Sequence, residues 1–275
     1  MTTSSEKMRV LHVWNTGGVA SLIARYMDRE GLGTESRVIT RKAADPVGLT
    51  DYGTAYDDGA TRFFIRALSM SRHADIVHVH ALDRFVPWVK RLYPSKPVVL
   101  YYLGTDIRGR WRAKEARWRR ADFIGYTTSD LSEGAPPVAE QVFCPIDTEF
   151  FRPGAAPPRP NSAVSIGYGM DSETESLAGK MSLDLTLMKR GSVPYAQMPS
   201  LLSKYEYYID LRRTPDRTTA VECLGKAALE ALACGCKAVD WSGKVHVRLP
   251  EEDRPEKVAA KWAEIYRRLL SEKHR

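Results

Sequence analysis

Two glutamates, Glu222 and Glu230, stand in the otherwise small and apolar segment VECLGKAALEALACG, residues 221–235. The glycines of this segment suit the start and the end of a helix, so it predicts a helix over about 225–233. Glu222 then lies in the loop before the helix and Glu230 lies inside it. Carboxylates accept hydrogen bonds from paired hydroxyl groups, and a helix start binds anions. The segment therefore predicts a site for a ligand with hydroxyl groups and a negative charge.

The predicted helix start would present the backbone N–H groups near Leu224, Gly225 and Lys226 to a ligand in the cleft. These groups predict an anion site with one carboxylate on either side. A nucleotide sugar carries the matching parts, because it combines a ribose diol, a diphosphate and sugar hydroxyls. We therefore expect a ligand of this class.

A glycine-rich loop, WNTGGVAS (14–21), follows the first predicted strand. Gly17 and Gly18 allow a tight turn and a close approach of the backbone to an anion at the next helix start. The spacing is not the G-x-G-x-x-G of dinucleotide-binding proteins. A simple strand-to-helix turn explains the glycines equally well, so both interpretations stay open.

Polar side chains also follow two later strands, in HVHALD (78–83) and LGTDIR (103–108). The carboxyl ends of neighbouring parallel strands meet at one edge of a sheet, which brings His80, Asp83 and Asp106 together. A histidine at a strand end is often only a hydrogen-bonded part of the structure. His80 is therefore a candidate for either a catalytic or a structural role.

Short β-branched runs alternate with helical patterns over residues 1–150. Continuous apolar strands separated by helices predict a parallel sheet that is covered on both faces, and hence a doubly wound α/β domain. The predicted strands are 9–15, 35–40, 75–82, 96–104, 121–128 and 140–146.

A proline-rich segment, 151–162, predicts a linker, because prolines exclude a helix or a central strand. A second, smaller α/β domain follows over 163–254. Residues 255–275 have apolar positions at helical spacing, and they predict a helix that packs across the domains. The strands predicted for the second domain are 163–169, 183–190, 205–212 and 236–241.

Charge and cysteine content limit the classes of function. The net charge of +7 favours anionic partners, and the four cysteines show neither a C-x-x-C pair nor a metal-finger spacing. Free, mostly buried thiols in a reducing cytoplasm fit this pattern. The polar N-terminus has no apolar segment behind it, and no run is long enough to span a membrane. We predict a cytoplasmic protein, with peripheral contact to the inner face of the membrane as an option.

The motifs together resemble a known family. The GGVA loop, DIVHVHAL, PVVLYYLGTDIR, ADFIGYTTSDL, CPIDTEFFRPG, and E-x7-E followed by ALEALACG occur in the order and positions of the GT-B glycosyltransferases of family 4. The resemblance covers residues 9–162 closely and 194–240 well. It implies two Rossmann-like domains facing across a cleft, with the C-terminal domain shortened. It also implies retaining transfer of a sugar from a nucleotide-sugar donor, without a metal ion or other cofactor.

Carried over by position, the resemblance implies that Glu230 binds the donor ribose diol and that Glu222 approaches the donor sugar or its leaving phosphate. The remaining donor contacts would come from the helix start and from the GGVA glycines. We predict as catalytic residues Glu222, His80 and Asp106, and as donor-binding residues Glu230, Leu224, Gly225, Lys226, Gly17, Gly18 and Arg212.

Two features depart from the family pattern. Many members have a histidine that contacts the donor sugar where this chain has Leu103, and many have a G-R…K-G pair where this chain has IGYGMDSETES (166–176). A catalytically silent GT-B protein that binds a nucleotide sugar or a glycan, or supports a partner transferase, is therefore the alternative function. The cation that meets the diphosphate has several candidates, which are Lys226, Lys180, Lys189, Arg190, Arg212 and Arg213.

The basic segment RGRWRAKEARWRR, residues 108–120, has three interpretations. It suits an amphipathic helix on anionic lipid, which would agree with a lipid-linked acceptor, or a nucleic-acid patch. It equally suits a solvated helix whose Trp111 and Trp118 pack inward at a seven-residue spacing. We predict a glycan or lipid-linked acceptor and no nucleic-acid partner.

Overall fold

The computed structural model describes residues 7–167, 169–214 and 218–273. The polar N-terminal stretch 1–6 and the last two residues of the predicted C-terminal helix lie outside them. Contacts within the chain divide it into two compact units. Unit 1 comprises Met1–Pro145 and Pro255–Arg275, and unit 2 comprises Ile146–Arg254. Each unit is an α/β domain, which confirms the predicted class.

A seven-stranded sheet forms the centre of unit 1, and all of its neighbouring strands are parallel. Its strands are β1 (Met8–Val13), β2 (Thr34–Arg41), β3 (Thr54–Tyr56), β4 (Ile76–His80), β5 (Val98–Tyr102), β6 (Phe123–Tyr126) and β7 (Ala139–Gln141). Their spatial order is β3-β2-β1-β4-β5-β6-β7. The winding direction reverses between β1 and β4, which makes this pair the switch point of a doubly wound sheet.

Unit 2 contains a five-stranded sheet, in which only the last strand runs antiparallel to its neighbour. Its strands are β8 (Arg159–Ile166), β9 (Asp184–Met188), β10 (Tyr205–Ile209), β11 (Lys237–Val239) and β12 (Val245–His246). Their spatial order is β12-β11-β10-β8-β9. The winding direction therefore reverses between β8 and β10. The strand β10 is also the one that precedes the predicted donor site.

The helices follow the βα alternation that the sequence predicts, and their apolar faces cover the sheets. They are α1 (Val19–Arg29), α2 (Ala60–Ser71), α3 (Val86–Leu92), α4 (Glu115–Trp118), α5 (Asp171–Lys180), α6 (Met198–Leu202), α7 (Lys226–Ala233) and α8 (Pro255–Lys273). Of the helices in the described ranges, none is both long and apolar enough to cross a membrane.

The C-terminal helix α8 groups with unit 1, where it packs against α1 on one face of the sheet. Trp262 of α8 is fully buried and lies against β6 at Gly125. A Cβ atom on Gly125 would stand 2.9 Å from Trp262 Cη2, closer than a side chain allows. The glycine therefore permits the close approach of helix and sheet.

The first strand of unit 2 begins inside the range that the sequence predicts as linker. Arg159 pairs with Tyr205, but the register between β8 and β10 shifts before Tyr207. Pro160 stands at this irregularity, and Asn161 next to it has a φ of 55°. A proline is compatible with a strand at such a bulge, because the ladder there does not need its missing N–H group.

Candidate functional site

The predicted site residues fall into two groups, one in each unit. Those of unit 1 follow β1, β4 and β5, and those of unit 2 follow β10 or belong to the loop and helix of the 222–230 segment. Open α/β sheets bind ligands at the carboxyl ends of their strands. Both groups lie at such ends.

The end of β10 is joined to the start of α7 by a buried aspartate, Asp210. Its carboxylate accepts a hydrogen bond from the Gly225 backbone N–H at 2.6 Å, and it pairs with Arg212 Nε at 3.1 Å. The Arg212 guanidinium also donates to the Cys223 carbonyl. The loop that carries Glu222 is thereby held against the edge of the sheet at both of its ends.

Gly225 is the residue before α7, and the hydrogen-bonded Arg212 guanidinium leaves little space for a side chain beside it. A Cβ atom at this position would lie 2.8 Å from both Cζ and Nε of Arg212. The prediction that a helix starts here is therefore confirmed, with the first helical residue at Lys226. The Gly225 N–H group, which the sequence assigns to an anionic ligand, donates to Asp210 in this structure.

Glu230 is buried inside α7, and two neighbours donate to the same carboxylate oxygen. Tyr195 donates its hydroxyl to Oε1 at 2.9 Å, and Lys226, one helical turn earlier, forms an ion pair with Oε1. Burial raises the pKa of Tyr195 above its ordinary value, so its hydroxyl stays protonated and acts as the donor. Among the described residues, nothing donates to Oε2 of Glu230. This oxygen remains available as an acceptor.

Aromatic rings surround the Lys226 ammonium group. Its Nζ lies 5.6 Å from the ring centre of Tyr195 and 6.0 Å from that of Phe151. Phe150 stacks on Tyr195 with ring centres 5.6 Å apart. Phe150 also lines an open cavity of about 670 Å³ together with Pro153, Ala196 and other residues of the same region. Positive charge against aromatic faces is favourable, which helps to fix the position of Lys226 beside Glu230.

Glu222 and Leu224 occupy different environments in the loop before α7. Glu222 is exposed and forms no hydrogen bond with the described part of the chain, whereas Leu224 is half-buried against the core of unit 2. Glu222 is therefore accessible to a ligand. The Leu224 side chain packs against the core, so only its backbone N–H group is a candidate for binding a ligand.

Two further candidate cations have defined positions in unit 2. Arg213 lies over the ring of Trp241, 5.0 Å from its centre, and 3.6 Å from Glu173. Lys180 stands at the far end of α5, about 13 Å along the helix axis from its start. Arg213 is thus at the carboxyl edge of the sheet, and Lys180 is not.

In unit 1, the GGVA loop has the tight turn that its glycines predict. Gly17 and Gly18 have φ values of 61° and 76°, which only glycine adopts without strain. The buried Asn15 side chain fastens the loop, because it donates to Ser21 Oγ at 2.9 Å and accepts from the Ser21 N–H at 3.1 Å. The glycines stand directly before α1.

His80 lies at the end of β4, but it is completely buried. Its Nε2 atom lies 3.1 Å from Nδ1 of His12, and its ring stacks on His78 with centres 4.0 Å apart. A catalytic residue must reach its substrate, and this position gives His80 no exposure. The catalytic role of His80 stays a prediction, and its surroundings are those of a structural histidine.

Asp106 closes the loop after β5. Its carboxylate accepts hydrogen bonds from the backbone N–H of Leu103, at 3.0 Å, and of Gly104, at 2.6 Å. Burial raises the pKa of Asp106, and the two amides act in the opposite direction. The residue therefore shapes the loop that contains Leu103.

The basic segment 108–120 folds around another buried carboxylate, Asp83. Lys114 and Arg117 form ion pairs with Asp83 at 2.6 and 3.0 Å. Trp111 and Trp118 point into the core of unit 1 and are only 3% and 9% exposed. The segment forms a turn and the short helix α4 instead of a long amphipathic helix. Inward packing of both tryptophans, one of the sequence interpretations, describes it correctly.

Sequence reasoning missed two residues that organise the site in unit 2. Asp210 comes directly after the apolar run YEYYI. An aspartate at the end of a central strand is a signal of a ligand-binding edge, and this signal was not used in predicting the site. Tyr195 has no comparable signal, because only the fold brings it to Glu230 across 35 positions of sequence.

No protein-family model and no curated protein sequence matches the chain. Among solved structures, it is similar to the spinosyn forosaminyltransferase SpnP, with 15% identity and a TM-score of 0.48 over 97% of this chain and 95% of that chain. A UDP-glucosyltransferase from Polygonum tinctorium shows 10% identity and a TM-score of 0.48 over 99% and 93%. A UDP-N-acetylglucosamine 2-epimerase from Rickettsia bellii shows 11% identity and a TM-score of 0.46 over 98% and 97%. These similarities concern the path of the chain and carry no conclusion about its activity.

Proposed function

We propose that the protein is a GT-B glycosyltransferase of the family 4 type that takes a UDP- or GDP-sugar as donor. The observation that carries this proposal is the available Oε2 atom of Glu230, beside Lys226 at the start of α7. A fixed carboxylate oxygen accepts hydrogen bonds from the ribose diol, and the adjacent cation and helix start favour a diphosphate. Unit 2 is therefore the donor-binding unit of the proposed enzyme.

The proposed reaction is retaining and needs neither a metal ion nor a protein nucleophile. Negative charge develops on the diphosphate as the bond to the sugar breaks, and fixed donors stabilise this charge more strongly than the ground state. In this scheme Lys226 and the amides near Leu224 act on the diphosphate, and the exposed Glu222 approaches the donor sugar. Arg212 acts by position, because its pairing with Asp210 fixes the loop.

Replacing Glu230 by glutamine is expected to weaken UDP or GDP binding about tenfold or more. A hydrogen bond to a charged group contributes about 1.5–3 kcal/mol, and the neutral amide loses this charge. Isothermal titration calorimetry on the wild type and on Glu230→Gln measures the difference.

The matched control is Glu206→Gln, which removes a Glu–Lys pair of the same unit at the opposite end of β10. We expect this variant to bind nucleotide like the wild type. Equal affinity of the Glu230→Gln and Glu206→Gln variants, at unchanged melting temperature, would exclude Glu230 from the site.

A catalytically silent, nucleotide-sugar-binding protein is the second candidate. Leu103 in place of the family histidine and the absence of the G-R…K-G pair in the sequence favour it. Incubation with a panel of UDP- and GDP-sugars, with and without glycan acceptors, separates the candidates. Sugar transfer or donor hydrolysis supports the enzyme. Nucleotide binding without turnover supports the silent protein, and epimerisation of the sugar would contradict both.

We further propose a cytoplasmic location, a glycan or lipid-linked acceptor, and peripheral contact with anionic membrane through residues 108–120. Arg112, Arg119 and Arg120 are exposed on this segment, whereas its tryptophans are buried. Contact would therefore be electrostatic, and we expect flotation with phosphatidylserine vesicles at low salt. Reversing the charge of these three arginines should abolish flotation. Equal flotation of the variant and the wild type would end this part of the proposal.

A further inference from the structure

Three histidines form a cluster inside unit 1, on the face of the sheet that α8 covers. His12 of β1 and His78 of β4 are register partners, and His80 is two residues further along β4. Side chains two residues apart on a strand share a face, so all three rings converge. One ring nitrogen from each histidine lies within 4.8 Å of the other two. In the described part of the chain, this is the one such group of possible metal ligands.

The three rings are completely buried and leave part of their hydrogen-bonding capacity unused. His12 Nδ1 contacts His80 Nε2, and His78 Nδ1 contacts the Tyr266 hydroxyl at 2.6 Å. The other nitrogen of each ring has no described partner. No choice of tautomers changes this result, because two hydrogen bonds cannot occupy six ring nitrogens. Unsatisfied polar atoms at this depth are costly, and His78 Nε2 is one of them, on the same face of the sheet as the His12–His80 pair.

We propose that His12, His78 and His80 bind one transition-metal ion. Imidazole is a preferred ligand for zinc and copper ions. Two nitrogens bound to one tetrahedral zinc ion stand about 3.3 Å apart, and His12 Nδ1 and His80 Nε2 are 3.1 Å apart. The pair therefore already has the spacing that a shared ion requires, and the ion would replace the hydrogen bond between the two rings. Zn²⁺ and Cu⁺ are the two ions to test. Both bind imidazole, and the single charge of Cu⁺ is less costly to bury in an apolar interior.

The surroundings agree with this assignment. Burial lowers the pKa of all three histidines, that of His12 to about 4, so they carry the neutral form that binds metal. Metal-bound histidines commonly donate their second ring N–H to an oxygen atom, which orients the ring. The Tyr266 hydroxyl stands where it can accept this bond from His78 Nδ1.

Helix α8 closes the site. The ring of Trp262 lies 4.4 Å from that of His78, and Tyr266 contacts the same histidine. An ion therefore has to enter before α8 packs on the sheet, and it would be retained once the helix is in place. Metal added to the folded protein is expected to bind slowly, whereas metal present during refolding is expected to bind fully.

The test uses the full-length chain, refolded from denaturant with Zn²⁺ or, under anaerobic conditions, with Cu⁺. After dialysis, inductively coupled plasma mass spectrometry should find one ion per chain, and the melting temperature should exceed that of protein refolded with a chelator. Refolding with Co²⁺ should give the visible absorption of a tetrahedral site. A refolded wild type that retains neither ion and shows no rise in melting temperature would overturn the proposal.

Substitutions locate the ion. His12→Asn should abolish retention, whereas His73→Asn and His246→Asn should keep it, because these two histidines lie outside the cluster. Loss of the ion in either of these control variants, with retention in His12→Asn, would place the metal on the surface and overturn the assignment. The ion content and melting temperature of the refolded wild type decide the proposal by themselves, so the test remains valid even if His12→Asn fails to fold. The outcome is independent of the proposed glycosyltransferase activity.

Discussion

Trp262→Ala is expected to lower the free energy of unfolding by about 3–5 kcal/mol, the range of large-to-small changes at buried aromatic positions. Trp262 has no exposure, and its ring packs against those of Tyr101 and Phe123, with centres 4.8 and 5.8 Å away. The close contact at Gly125 is made by the Trp262 ring itself and disappears with it. Truncation therefore removes the largest fully buried side chain of the helix and weakens the attachment of α8.

Urea denaturation measures the free energy of unfolding of Trp262→Ala. The matched control is Trp88→Ala, measured in the same way. Trp88 of α3 is 51% exposed, so its removal should change stability by less than about 1 kcal/mol. Equal losses in both variants would contradict the anchoring role of Trp262. Proteolysis of the α8 segment, monitored by mass spectrometry, should accelerate only in Trp262→Ala.

Asp210→Asn is expected to cost about 3–5 kcal/mol of stability, because it removes the buried charge that pairs with the Arg212 guanidinium. The Arg212 side chain is 14% exposed and that of Asp210 is 2% exposed, so solvent does little to screen the loss. The same change weakens the bond to the Gly225 N–H. We therefore expect nucleotide binding to fall together with stability.

A double-mutant cycle with Arg212→Gln tests this explanation. Removing both charges should cost less than the sum of the single changes, because both single changes remove the same ion pair. Glu206→Gln breaks a partly exposed ion pair in the same unit and should cost at most about 1 kcal/mol. Strict additivity of the two single variants would show that Asp210 and Arg212 act separately.

The sheets were predictable because their strands are continuous apolar runs separated by helical patterns. Each parallel strand from β4 to β6, and β8 to β10, overlaps a predicted one. The strands β3 and β12 were missed, since three and two residues are too short to show a pattern. The start of β8 was assigned to the linker, because composition does not reveal that a bulge accommodates Pro160.

The candidate site was predictable only where its parts are close in sequence. The α7 start, Glu222 and Glu230 lie in one segment, and glycine spacing gave the helix start within one residue. Asp210, Tyr195 and the histidine cluster depend on contacts between distant segments. Periodicity cannot show that His12 and His78 are register partners, because strand order is a property of the folded sheet.

The two ends of unit 2 lie next to each other. The Ile146 N–H donates to the Asp253 carbonyl at 2.9 Å, so the chain enters and leaves unit 2 at a single locus. Domains with adjacent ends tolerate transplantation and insertion, because no new stretch of backbone is needed to bridge them. Residues 146–254 are thus a cassette. They can be exchanged for a counterpart from another protein while α8 keeps its connection to the sheet that it covers.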